Sequence, residues 1–230
     1  MRAVENKRPI SVIRLGDVMA KLLAQRNLNT LKHAAPFLGI PYPPPPQLLT
    51  SLAYAARHAT IVGMSHFDAS REKLKQFMHK THWKPRNITD AFINDQLYEQ
   101  LYLHMFMRKY RVALVGRSAR AAAGQLIKRG YPRPLTVNLD SYHQITRAFH
   151  QLQRHRHNVD LVLVGASVPG RILCVKIAKQ LNITAVEIGH IMDALANPMD
   201  WSRPHNRRRA VERWMKIIRN RQYKRLKPKK

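Results

Sequence analysis

Apolar residues in the second half of the chain fall into short unbroken runs separated by amphipathic stretches. "RVALVG", "PLTVNL", "VDLVLVG" and "ITAVEIG" read as strands buried on both sides, because they lack the polar alternation of a sheet with one wet face. Between them, "RSARAAAGQLIKRG", "DSYHQITRAFHQLQRHR" and "SVPGRILCVKIAKQL" read as helices. In the first half, Ile10 to Leu15 forms a strand that breaks at Gly16, and Asp17 is placed to cap the helix "VMAKLLAQRN". "GIPYPPPP" favours an extended connection. It leads to the helix "QLLTSLAYAARHA", the strand "TIVGMS" and the helix "DASREKLKQFMHK", capped by Asp68 or Ser70. Asn87 and Asp90 open one long amphipathic segment, "ITDAFINDQLYEQLYLHMFMRKY". Its stripe of Ile93, Leu97, Leu101 and Met105, widened by Tyr98, Tyr102 and Phe106, is expected to face the core. Strands alternating with helices of this length predict an α/β, Rossmann-like fold: a mostly parallel sheet with helices on both faces.

The length of 230 residues suits one such domain, over residues 1–200. Residues 201–230 turn polar and basic, with Val211, Trp214, Met215 and Ile218 as a single apolar stripe on an arginine-covered helix. A hydrophobic fraction of 45% supports a packed core and argues against global disorder. No apolar run nears the roughly 20 residues that span a bilayer, and the first residues lack a secretory pattern. The expected location is therefore the cytoplasm. Cys174 is the lone cysteine and sits in an apolar helical pattern, which reads as core packing.

Charge changes the picture. Forty-one Lys and Arg against thirteen Asp and Glu give +28. Residues 203–230 hold thirteen of the basic residues and one acid, so +16 remains in residues 1–202. Such a field attracts polyanions: nucleic acid, anionic lipid or phosphorylated small molecules.

Ligands of parallel α/β sheets bind beyond the carboxyl ends of the strands. Four such ends carry chemistry: Gly116-Arg117-Ser118, Asn138-Leu139-Asp140, Gly165-Ala166-Ser167 and Glu187-Ile188-Gly189-His190. Glycine there lets backbone amides approach a phosphate, and Ser118 and Ser167 stand where helices start. Arg117, Arg120 and Arg171 are candidates for charge-assisted contacts to a diphosphate. "GASVPG" has the spacing of neither a P-loop nor a dinucleotide fingerprint. Turn glycines and helix caps account for the same residues structurally.

The segments "SVIRLGD", "TDAFIND", "LVLVGASVPGRILCVKIAK" and "VEIGHIMD" together resemble the GT-D type glycosyltransferases, over about residues 10–195 and most clearly over 159–193. The resemblance implies a bacterial, Rossmann-like enzyme that moves a sugar from a nucleotide-sugar donor. Arg14, Gly16 and Asp17 match the family's Arg-aromatic-Gly-Asp-Gly-Glu stretch, whose Asp-x-Glu pair is associated with metal and donor binding. Ile188, Gly189 and His190 match its Asp-Ile-Gly-His stretch, with Glu187 in place of the aspartate. By this resemblance Asp17, Glu187 and His190 would be catalytic. Arg14, Gly16 and Asp193 would bind substrate on the same ground, and Gly116, Arg117, Ser118, Gly165 and Ser167 are substrate-binding candidates by their place at the strand ends.

The chain departs from the family at Val18 and Met19, which stand where the pattern has glycine and glutamate. A thioether does not replace a carboxylate on Mn²⁺ or Mg²⁺. The divalent metal that the resemblance implies is therefore in question, and arginines are the alternative means of neutralising the leaving diphosphate. Two readings of the last strand end stay open. Glu187 and His190 form an acid–histidine pair acting on an acceptor hydroxyl, or His190 caps the next helix while Glu187 pairs with an arginine. One other function competes with sugar transfer, a non-catalytic basic module that holds nucleic acid or another polyanion. Attachment of the 206–222 helix to anionic lipid at the inner membrane surface is a third reading, compatible with either.

Overall fold

The computed structural model describes residues 2–201. Seven strands form one all-parallel sheet in the order β3-β2-β1-β7-β6-β4-β5: β1 (Ser11–Leu15), β2 (Ile61–Met64), β3 (Ile88–Asp90), β4 (Val112–Val115), β5 (Leu135–Val137), β6 (Leu161–Val164) and β7 (Thr184–Glu187). The helices are α1 (Arg2–Glu5), α2 (Asp17–Ala24), α3 (Ala35–Leu38), α4 (Pro46–His58), α5 (Asp68–Lys80), α6 (Ile93–Glu99), α7 (Tyr102–Lys109), α8 (Ala119–Lys128), α9 (Ile145–Arg154), α10 (Ser167–Gln180), α11 (Ile191–Ala196) and α12 (Pro198–Trp201). The fold is the expected α/β, Rossmann-like one. No helix among the described residues is long and apolar enough to cross a membrane. The basic helix expected over 206–222 lies outside the described residues.

Alternating strand residues feed two cores. Ile13, Leu15, Ala185 and Val162 face one layer, built from α2, α4, α5, α9 and α10. Val12, Val186, Leu161 and Leu163 face the other, built largely from α7, α8 and α11. Cys174 is buried in the first, as its apolar setting predicts. The chain leaves β1 towards the first layer through α2 and leaves β7 towards the second through α11. The two central strands thus send their connections to opposite faces, the arrangement that opens a crevice at strand ends.

Three local expectations are corrected. Asp17 is the first residue of α2, and Gly16, in extended conformation, is its N-cap. Phe67, not Asp68 or Ser70, occupies the N-cap position of α5, which has no side-chain cap. The segment expected to be one long helix begins as strand β3 and then splits into α6 and α7 at Leu101, whose φ is 61°. The apolar stripe therefore does not run through. Leu101 is 62% exposed, while Leu103 and Met107 enter the core and α6 buries two polar residues, Asn94 and Asp95.

Candidate functional site

Strands β1 and β7 pair only through Ser11↔Ala185 and Val12↔Val186, whereas β1 and β2 stay paired to Leu15↔Met64. Past Val12, side chains take over from backbone in joining the two central strands. Arg14 Nε donates to Glu187 Oε2 at 2.6 Å and Nη2 to Oε1 at 3.2 Å, a forked pair between residues 173 positions apart. Its Nη1 donates to the Ala91 carbonyl at 2.9 Å and to Asn94 Oδ1 at 2.6 Å. The amide of Asn94 donates in turn to the Ile188 carbonyl at 3.0 Å. From α10, Arg171 donates to the Arg14 carbonyl at 2.6 Å and the Ser167 carbonyl at 2.5 Å, and its Nη1 lies 3.4 Å from Glu187 Oε1.

Glu187 has no solvent exposure. Burial alone would raise its carboxyl pKa, but the Arg14 and Arg171 guanidiniums outweigh it and hold the group below the ordinary carboxylate value. Burial pulls the Arg171 pKa down, partly offset by Glu187. Burial pushes the Cys174 thiol well up, and the nearby Glu187 charge adds to it, so that thiol is inert packing. Of the two readings of the last strand end, the geometry joins Glu187 to arginines. Its carboxylate is fully buried between Arg14 and Arg171.

His190 follows Gly189, whose φ of 52° turns the chain into α11, with His190 at the N-cap position. A Cβ on Gly189 would collide with the Arg14 guanidinium, so this position requires glycine on steric as well as conformational grounds. The His190 side chain keeps 32% of its surface exposed and places Nε2 2.6 Å from Oδ1 of Asp95, which is 2% exposed. The acid of the acid–histidine pair is thus Asp95 of α6, not Glu187. Asp95 and Asn94 were missed as functional candidates, although both lie in "TDAFIND". Their signal was polarity on the inward side of an amphipathic helix.

The neighbouring strand ends hold further buried polar groups. His66 Nδ1 stands 3.4 Å from Asp90 Oδ2, and the His66 ring packs against Phe67 and Phe92 with centroids at 4.5 and 5.4 Å. Both His66 ring nitrogens, Asp90 Oδ2 and Asp95 Oδ2 are buried with hydrogen-bonding capacity unused by protein. His66 and Asp90 sit at the carboxyl ends of β2 and β3, and Asp95 follows in α6, on the same edge of the sheet as the Arg14–Glu187 pair.

The remaining candidates divide. Ser118 Oγ donates to Asp193 Oδ1 at 2.5 Å and ties the start of α8 to α11. Arg117 lies over the Phe37 ring, 4.8 Å from its centroid, and donates to the Phe37 carbonyl. Arg171 is consumed by the internal network, whereas Arg120 is exposed on α8. At Gly116 (φ 148°) a Cβ would meet the Gly165 carbonyl, and at Gly165 it would meet the Met192 side chain. Close packing of strand ends accounts for both glycines. Ser167 opens α10 with φ 44°. Asp17 is half exposed and pairs with Lys21 at 2.9 Å, whereas Met19 is 2% exposed in the core beneath α2. Asp17 and Met19 therefore do not make a donor set for a hard divalent ion. Among the described residues no group of three His, Cys, Asp or Glu side chains is placed to hold a metal.

Residues 1–195 match the family described as the GT-D fold-like domain. Comparison with curated proteins finds no match. Among solved structures, the chain is similar to a glycosyltransferase (DUF1792) from Streptococcus sanguinis, at 16% identity and TM-score 0.58, covering 86% of this chain and 80% of that one. It is also similar to a structure of domain of unknown function 1792 described as having a distinct glycosyltransferase fold, at 14% identity and TM-score 0.55, covering 87% and 77%. At these identities the likeness is one of fold. Because the family match spans most of the chain, the protein belongs to the GT-D-like family.

Proposed function

We propose that the chain is a glycosyltransferase that takes its sugar from a nucleotide-sugar donor at the carboxyl ends of β1, β7 and β4. The observation that carries this reading is the His190–Asp95 pair: a partly exposed imidazole held by a buried carboxylate at the β1/β7 crevice of a GT-D fold-like domain. In the proposed step His190 removes the proton from an acceptor hydroxyl as its oxygen attacks the anomeric carbon. The bond from that carbon to the diphosphate breaks, and the nucleoside diphosphate leaves with the electron pair. Asp95 fixes the imidazole and stabilises the imidazolium that forms.

Arg14 and Glu187 act as positioning residues, fixing the strand ends from which Gly189 and His190 depart. Asp17, half exposed beside Gly16, accepts from donor hydroxyls. Arg117, Arg120, Ser118 and the first amides of α8 meet the diphosphate, with Asp193 orienting the Ser118 hydroxyl. Gly165 and Ser167 frame the same edge. A divalent ion is given no role, because the residues at Asp17 and Met19 do not fit one.

The test is calorimetric titration of nucleoside diphosphates and their sugars into the full chain, with and without Mn²⁺, beside an assay of diphosphate release. Binding and release that are indifferent to chelator support the reading, and no binding at millimolar donor rejects it. The charge of +16 in residues 1–202 favours a second reading, polyanion binding without transfer. Sequence-selective nucleic-acid binding that survives moderate salt would favour that one.

A further inference from the structure

On one face of the sheet, towards the amino ends of the strands, the described residues leave an apolar stretch incompletely covered. A cleft of about 550 Å³ lies on the face that carries α7, α8 and α11. Its floor is Val12, Val186 and Leu161 of the three central strands, and its walls include Ile93, Leu97 and Phe106. Those three belong to the stripe expected to be core, and here they line an open surface. A parallel sheet normally has both faces closed by helices, and an apolar opening of this size marks a binding site.

A second cavity of about 440 Å³ adjoins the first, and the two share Ala3, Val4 and Thr184. Among the described residues, Lys7, Arg8, Arg111 and Arg156 line it, against the one carboxylate of Asp160. Arg111 already forks onto Asp160, at 2.6 and 3.0 Å, and holds that acid's pKa down by hydrogen bonding. Lys7, Arg8 and Arg156 are therefore surplus positive charge beside an apolar trough.

We infer that these joined cavities bind an anionic amphiphile, with its alkyl chain along Val12, Val186 and Leu97 and its phosphate-like head on Lys7, Arg8 and Arg156. Charge complementarity at one end and apolar lining at the other select this class over a neutral lipid or a free anion. The head-group end lies at the amino ends of the strands, the apolar end is walled by α6, which also carries Asp95, and the proposal stands whether or not the transferase reading does.

The test is calorimetric titration of dodecyl phosphate, below its critical micelle concentration, into the full chain. One-site binding is expected, with inorganic phosphate and dodecyl maltoside each at least about tenfold weaker. Arg8→Glu, Leu97→Glu and Ile88→Glu should each weaken it about tenfold or more. Ile88 is exposed at the cleft edge, so its variant keeps the test readable if Leu97→Glu unfolds. Equal affinity for inorganic phosphate would reduce the effect to surface charge and overturn the proposal, and equal affinity for the maltoside would do the same. An Ile88→Glu variant that binds dodecyl phosphate normally but loses a dimer in sedimentation would assign the cleft to a second copy instead.

Discussion

The Arg14 guanidinium reaches across the gap between β1 and β7 and forks onto the Glu187 carboxylate at 2.6 and 3.2 Å. Backbone pairing between these strands ends at Val12↔Val186, so this side-chain bridge holds the strand ends from which the candidate site departs. Removing one member of a buried pair strands the other charge. Arg14→Met and Glu187→Gln should each cost about 3–5 kcal/mol in denaturant unfolding. Arg14→Lys should rescue little, because an ammonium cannot fork onto the carboxylate while also reaching Ala91 and Asn94.

The same pair predicts a pH dependence. The Glu187 pKa is lower in the folded chain than the ordinary value of 4.5, so the folded state favours its charged form. Its contribution to stability is fully present above that ordinary value and is lost as pH falls through the depressed one. Unfolding free energy measured from pH 7 downwards should show a steeper fall below about pH 4.5 in the native chain than in Glu187→Gln.

Gly189→Ala should destabilise by about 2–4 kcal/mol, since the new methyl meets the Arg14 guanidinium at a position with φ of 52°. Thermal unfolding checks this. Gly124→Ala is the control, because a Cβ there meets nothing within 4 Å and the helix gains propensity.

Met19→Glu restores the carboxylate of the family pattern on paper. In this fold it buries a charge in the core beneath α2, where Met19 is 2% exposed. The variant should lose several kcal/mol of stability and gain no Mn²⁺ affinity by calorimetry.

Leu101→Asn should stabilise by about 0.5–1 kcal/mol, because an exposed leucine pays for the left-handed turn between α6 and α7 and asparagine tolerates it better. A loss of stability would contradict the break between those helices.

The alternation of apolar runs and amphipathic stretches made the parallel α/β fold legible, because strands covered on both faces carry a signal that needs no tertiary context. Strand β3 escaped, being three residues of mixed polarity at the sheet edge. The apolar residues spaced every four from Ile93 to Met105 hid the break at Leu101, since periodicity records spacing and not whether a helix continues. The meeting of Arg14 with Glu187 and His190 with Asp95 depends on chain segments 173 and 95 positions apart. An arginine inside the run "SVIRL" announces a buried partner, but only the fold names it.

The most direct test of the sugar-transfer account is the steady-state rate of donor turnover in the full chain against Asp95→Asn. This substitution keeps the side chain's size and removes the charge behind His190. The account predicts kcat lowered by about 10²–10⁴-fold with KM for the donor little changed. An unaltered kcat with donor turnover intact would contradict it and return Asp95 and His190 to a purely structural role.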